Sequence, residues 1–167
     1  MKKSLFAFLL VLAMLLSLGV AAFADDPQYD STRQYLAFLD ENEIIYTFIG
    51  QSDSGDDWVE VGWNGENKEA IDVEVFFPAS CDFASFYCWN IIDFDESELA
   101  DVLPVINQLN RDYRFVRFYV DSSDWSVTAQ LDAIFRENDV GPICDDAMYY
   151  TVQLSDIAYD ALKDFAK

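Results

Sequence analysis

Histidine is missing from the chain altogether, which removes the ordinary Ser-His-Asp and Cys-His nucleophile arrangements and every mixed Cys/His zinc site. Bases are scarce too: 10 Lys and Arg stand against 31 Asp and Glu, a formal net charge of −21. A surface with that balance repels phosphate backbones and anionic membranes, so no nucleic acid is expected as a partner. Glycine and proline are few, at 6 and 4 residues, while aromatics make up 16% of the chain, which excludes disorder by composition. The three cysteines, Cys81, Cys88 and Cys144, form an odd count that leaves one pair plus a free thiol, or unpaired buried thiols, both open. The spacing of Cys81 and Cys88 matches no zinc ribbon.

What the chain does have at its start is the pattern expected of a leader. Lys2 and Lys3 precede an apolar run that ends in Ala22-Phe23-Ala24, the small-x-small pattern that signal peptidase accepts. A signal peptide over residues 1–24 is expected, with cleavage after Ala24 and a single domain over 25–167. The alternative is an uncleaved anchor, since the apolar stretch approaches the roughly 18 residues that span a bilayer. Contact with a membrane is expected only in that case. Removal of the leader takes two lysines and no acid, leaving 8 bases against 31 acids and a formal charge of −23. Export also places the cysteines where disulfides are permitted.

The mature part divides by periodicity. Asp26-Pro27 reads as a helix cap with proline in the first turn, and Tyr35, Leu36, Phe38 and Leu39 carry the helix to about Asn42. The run 44–50 reads as a strand. Segments 57–63 and 69–77 form a hairpin around an Asn64-Gly65 turn able to take positive φ, with Ile71, Val73, Val75 and Phe77 inward, and 83–92 adds a fourth strand. Asp95 caps a second helix along Leu99, Val102, Leu103, Ile106 and Leu109, which Pro104 must kink or divide. Strands 114–121 and 125–135 make a second hairpin, the latter aligning Trp125, Val127, Ala129, Leu131, Ala133 and Phe135. After the Gly141-Pro142 break, Ala147, Tyr150, Leu154, Ile157, Ala161, Leu162 and Phe165 trace a long amphipathic helix. The order α-β-β-β-β-α-β-β-α predicts an α+β domain, an antiparallel sheet with helices on one face.

Asn107-Gln-Leu-Asn110, Arg114-Phe115, Phe118-Tyr119, Asp121, Asp124, Val127 and Asp132 together resemble the YbjN family of small bacterial proteins. The match spans about Tyr35 to Phe165, with the motif in 107–132. The resemblance implies a fold like that of type III secretion chaperones and a sensory-transduction or partner-binding role. It brings no catalytic residues. Pro104 and Trp125 depart from the family pattern.

Candidate sites follow from the sheet. Trp58 and Trp63 are five apart and point to opposite sides of a strand, whereas Tyr87 and Trp89 share a side. Helices cover one face only, so some of these four aromatics must reach solvent or a partner. Asn107, Asn110, Arg114 and Asp132 form a candidate polar patch, with Arg114 and Asp132 able to pair across the hairpin. Asp121 to Asp124 reads as a hairpin turn rather than a metal loop. The acidic segments 53–57 and 93–96 suit calcium by ligand type but fit no EF-hand spacing. Carboxylate pairs for glycoside hydrolysis exist only on paper. The expected protein is exported and non-enzymatic, needs no cofactor or metal, and binds a protein or peptide through its sheet; a homodimer is compatible with this.

Overall fold

The computed structural model describes residues 26–136 and 138–167, so the expected leader lies outside the described residues. Its elements are α1 (Asp30–Glu41), β1 (Thr47–Gln51), β2 (Asp57–Trp63), β3 (Ile71–Phe77), β4 (Phe83–Asp93), α2 (Leu99–Asp112), β5 (Arg117–Asp121), β6 (Ser126–Ile134) and α3 (Val140–Leu162). This is the predicted order. Short 3-10 turns precede α2 and follow α3. The six strands form one antiparallel sheet in the order β1-β2-β3-β4-β6-β5, so the second hairpin joins the meander through β6.

Alternation dictates which face is covered. Ile71, Val73, Val75 and Phe77 of β3 are all buried, as are Val59 and Val61 of β2, Phe86 and Cys88 of β4, and Val127, Ala129 and Leu131 of β6. Across them runs α3, against which α1 and α2 pack in turn. Tyr35 of α1 meets Phe77, which in turn meets Phe135, at ring-centroid distances of 5.6 and 6.3 Å. The helices thus take one face of the sheet. Among the described residues, no helix is long and apolar enough to cross a membrane.

Several expected boundaries move, each for a physical reason. Helix α1 begins at Asp30 rather than at Asp26-Pro27, because the buried carboxylate of Asp57 accepts the backbone N–H groups of Gln28 and Tyr29 and holds them outside the helix. It ends in a Schellman motif: Glu43 takes φ 58°, and the N–H groups of Glu43 and Ile44 donate to the carbonyls of Asp40 and Leu39. Ile44 is therefore used to stop the helix, and β1 starts only at Thr47. Pro104 lies inside a single helix α2, which it does not divide. In α3, Gly141 and Pro142 belong to the first turn, where proline costs nothing because the N–H has no intrahelical partner.

The buried stripe of α3 keeps Ala147, Leu154 and Leu162 of the apolar pattern but differs from it elsewhere. Cys144, Met148, Thr151, Ser155, Ala158 and Leu162 face the sheet, while Tyr150 and Ala161 are exposed. Small side chains at Thr151 and Ser155 let the helix approach the strands, and Thr151 satisfies its hydroxyl by donating to the Ala147 carbonyl at 2.9 Å. Cys81 is exposed, Cys88 and Cys144 are buried, and all three are free thiols.

The connection from β2 to β3 departs furthest from expectation. Gly65 lacks the positive φ of a two-residue turn; its missing Cβ is what matters, since a Cβ there would stand 2.1 Å from Oδ1 of Asp156. The whole 64–70 loop folds around that α3 carboxylate, which accepts from the backbone N–H groups of Glu66, Asn67 and Lys68 and from Nδ2 of Asn67 at 2.8–3.1 Å.

Candidate functional site

The uncovered face of the sheet carries the alternate residues. Register sets Trp58 opposite Phe76, Glu60 opposite Glu74 opposite Tyr87 opposite Gln130, and Gln130 opposite Arg117. Helices occupy the other side, so these side chains touch one another instead. Trp58 stacks on Phe76 with ring centroids 5.6 Å apart, Phe76 meets Tyr87 edge-on at 5.7 Å, and Tyr87 stacks on Trp89 at 4.4 Å with planes only 3° apart. The result is a row of four rings across β2, β3 and β4. Trp89 remains 36% exposed, and its Nε1 donates to the Glu74 carboxylate at 2.9 Å. Burial raises the Glu74 pKa, the Trp89 bond works against that rise, and the neighbouring Glu60 and Asp72 add to it. A groove of about 330 Å³ lies along the row between Phe76, Phe83, Ser85 and Trp89.

Polar residues continue the face from Tyr87 to the edge at β5. Gln130 Nε2 donates to the Tyr87 hydroxyl at 2.9 Å, and Arg117 Nε donates to Gln130 Oε1 at 3.1 Å. The Ser85 hydroxyl donates to Asp132 at 2.7 Å, and Asp132 lies 3.9 Å from the Arg117 guanidinium. Burial and the Asp132 charge push the Tyr87 phenol up, so it stays a neutral hydroxyl through the physiological range. Two buried polar atoms on this face, Trp58 Nε1 and Thr128 Oγ1, have no hydrogen-bond partner among the described residues.

Of the four aromatics expected at a partner surface, the fold brings Trp58, Tyr87 and Trp89 together. Trp63 stands apart: it pairs with buried Ile71 at the end of β2, on the opposite side from Trp58, and is 38% exposed. Of the polar patch, Asn110, Arg114 and Asp132 line one cleft of about 430 Å³ between the end of α2 and β5, whose lining does not include Asn107. The expected ion pair across the hairpin forms with a different arginine. Strand β5 starts at Arg117 rather than at residue 114, so Arg117 and not Arg114 comes into register beside Asp132. Asn110 has a structural use: its amide accepts from the Phe118 N–H at 2.8 Å and donates to the Phe118 carbonyl at 2.9 Å, which satisfies the outward backbone of the edge strand.

Trp125 leaves the strand face assigned to it. It takes φ 59° in the turn before β6 and packs edge-on against Phe94 at 6.3 Å. The turn itself is the hairpin expected from Asp121 to Asp124, with Ser123 N–H donating to Asp121 and Ser126 N–H to Asp124. The acidic segments are used locally as well: Asp57 holds the start of α1, and Asp95 and Glu98 form a capping box. Among the described residues, no group of three or more His, Cys, Asp or Glu gathers closely enough to hold a metal ion.

Sequence reasoning missed Phe76, Glu74, Gln130 and Arg117. Phe76 was legible, because the inward alternation through Phe77 sends its neighbour to the opposite face. Gln130 and Arg117 carried no comparable signal, since their meeting depends on which strand lies beside β4.

No family model and no curated protein matches the chain. Among solved structures it is similar to one titled "Crystal structure of YbjN, a putative transcription regulator from E. coli". The TM-score is 0.57 at 10% identity, covering 83% of this chain and 93% of that one. The chain therefore has a YbjN-like α+β fold.

Proposed function

We propose that this protein is an exported, non-enzymatic binding module that holds a protein or peptide against the uncovered face of its sheet. The observation that carries this reading is the ring row of Trp58, Phe76, Tyr87 and Trp89, gathered on the face that no helix covers among the described residues. Rigid aromatics backed by a fixed polar network are the residue types that dominate binding energy at protein interfaces. The Arg117, Gln130 and Tyr87 bonds hold the row's third ring in place, so little of its side-chain freedom remains to be lost on binding.

The solved neighbour is described as a transcription regulator, but a formal charge of −21 here argues against a nucleic-acid partner. The missing histidine argues against Ser-His-Asp and Cys-His hydrolysis, and the backbone duties of Asp57 and Asp95 argue against calcium binding by the acidic segments.

The test combines stability and capture. Trp89→Ala is expected to lower the urea midpoint only slightly, because the ring is 36% exposed, while recovery of a partner crosslinked in the native organism falls about tenfold. Equal recovery by wild type and Trp89→Ala would sink the reading.

Export has its own measurement. Edman sequencing of protein from the native organism is expected to begin at Asp25, because Ala22 and Ala24 suit the small pockets of the peptidase. Material that begins at Met1 or Lys2 would replace export with a membrane anchor.

A further inference from the structure

Arg114 stands out in a chain this acidic. Of the 8 bases beyond the leader, Arg111, Arg114 and Arg117 fall within seven positions, from the last turn of α2 to the first residue of β5. Arg111 pairs with Asp112, and Arg117 is tied to Gln130 and Asp132. Arg114 has no hydrogen-bond or ion-pair partner among the described residues, although the chain holds 31 acids. It lines the 430 Å³ cleft with Asn110, Tyr113 and Val116.

The next residue is as unusual. Phe115 is 80% exposed, sits at φ 74°, and meets Tyr150 of α3 edge-on at 6.3 Å. An L-residue in the left-handed region is strained, and here that strain presents a bare phenyl ring to solvent. The connecting loop is nonetheless well fixed, because Asn110 clamps Phe118 just beyond it.

We infer that the cleft between α2 and β5 receives an acidic peptide segment, with a carboxylate held by Arg114 and an adjacent apolar side chain packed on Phe115 and Tyr150. This rests on the binding-module reading and adds a second contact, with the charge preference of its occupant. Charge complementarity argues for that occupant: a guanidinium with no acid of its own binds a carboxylate as a two-point fork. Asp132 already offsets Arg117, so the incoming carboxylate belongs on the Arg114 side. The protein's overall negative field opposes approach, but at physiological salt it is screened beyond about 8 Å, while contacts within the cleft are shorter than that.

The probe is a labelled, acetylated and amidated hexapeptide alternating Asp and Leu, with an Asn-for-Asp copy as control, titrated against the chain from residue 25 by fluorescence anisotropy. Saturable binding is expected for the Asp peptide, about tenfold weaker for the Asn copy and about tenfold weaker for Arg114→Gln. Phe115→Gly should also weaken binding while its Tm stays level or rises, because glycine adopts φ 74° without strain. That combination separates recognition from folding. The inference is overturned if the Asp peptide does not saturate up to millimolar concentration, or if the Asn copy or Arg114→Gln binds equally well. If binding survives Arg114→Gln but is lost in Trp89→Ala, the peptide lies on the ring row; this inference then fails while the sheet-face reading stands.

Discussion

Replacing Asp156 by alanine is expected to remove about 3 kcal/mol of stability, read as a fall in the urea midpoint at unchanged slope. The carboxylate is 8% exposed, and three successive backbone N–H groups plus the Asn67 amide converge on it. Such a concavity of aligned N–H groups is an anion site, here filled by the protein's own helix. Burial works against the charge, but the bonds from Lys68, Asn67 and Glu66 outweigh it and hold the pKa below the usual value. A depressed folded pKa gives stability that is fully present above the unfolded value near 3.9 and is lost as pH falls through the folded value. The wild type should therefore lose this contribution only in acid below about pH 4, and Asp156→Asn should lack that part of the pH dependence. Gly65→Ala attacks the same contact from the loop, since its Cβ would stand 2.1 Å from the carboxylate. In the Asp156→Ala background the glycine change should cost less but not nothing, because its Cβ would still stand 2.7 Å from the Lys68 carbonyl oxygen; the part that disappears is the coupling in a double-mutant cycle. If the two changes simply add, the loop does not depend on the carboxylate.

That contact explains which parts of the fold could be seen in the sequence. The alternation of β3 and the turn at Asp121 to Asp124 depend on residues within a few positions of one another, and both stand where their spacing puts them. Asp156 binds a loop about 90 positions upstream, and Gly65 looked like a turn residue because nothing local shows a carboxylate approaching it. Two positions of the α3 stripe were misread for a related reason, whereas Ala147, Leu154 and Leu162 are buried as their spacing predicts. Apolar spacing favoured Tyr150 and Ala161, whereas the sheet selects small residues such as Thr151 and Ser155 for close approach.

The candidate site divides along the same line. Tyr87 and Trp89 share a face by simple alternation, so their role on the open side followed from the strand itself. Arg114 was matched to Asp132 on the premise that the strand began there; with Phe115 at positive φ, pairing starts three residues later and Arg117 takes the place. Strand starts depend on backbone conformation, which composition describes poorly.

The second large effect separates two neighbours, Phe76 and Phe77. Adjacent positions on a strand point to opposite faces, so one truncation tests the core and the other the surface. Phe77 is fully buried between Tyr35 and Phe135, and Phe77→Ala is expected to cost about 3 to 5 kcal/mol, the range for a large ring removed from a packed core. Phe76 is only partly buried and contacts Trp58 and Tyr87, so its loss removes two aromatic pairs of about 1 kcal/mol each without opening a core cavity. Phe76→Ala should therefore remain folded at room temperature while losing most of its crosslinked partner, because the Trp58 and Tyr87 rings lose the ring that spaces them. Phe77→Ala should lose partner only in proportion to its unfolded fraction. Equal destabilisation by the two changes would mean that the open face is itself a core. Full partner recovery by Phe76→Ala would mean that the row is exposed for some reason other than recognition, since an interface built on four touching rings cannot lose its second member and keep its shape.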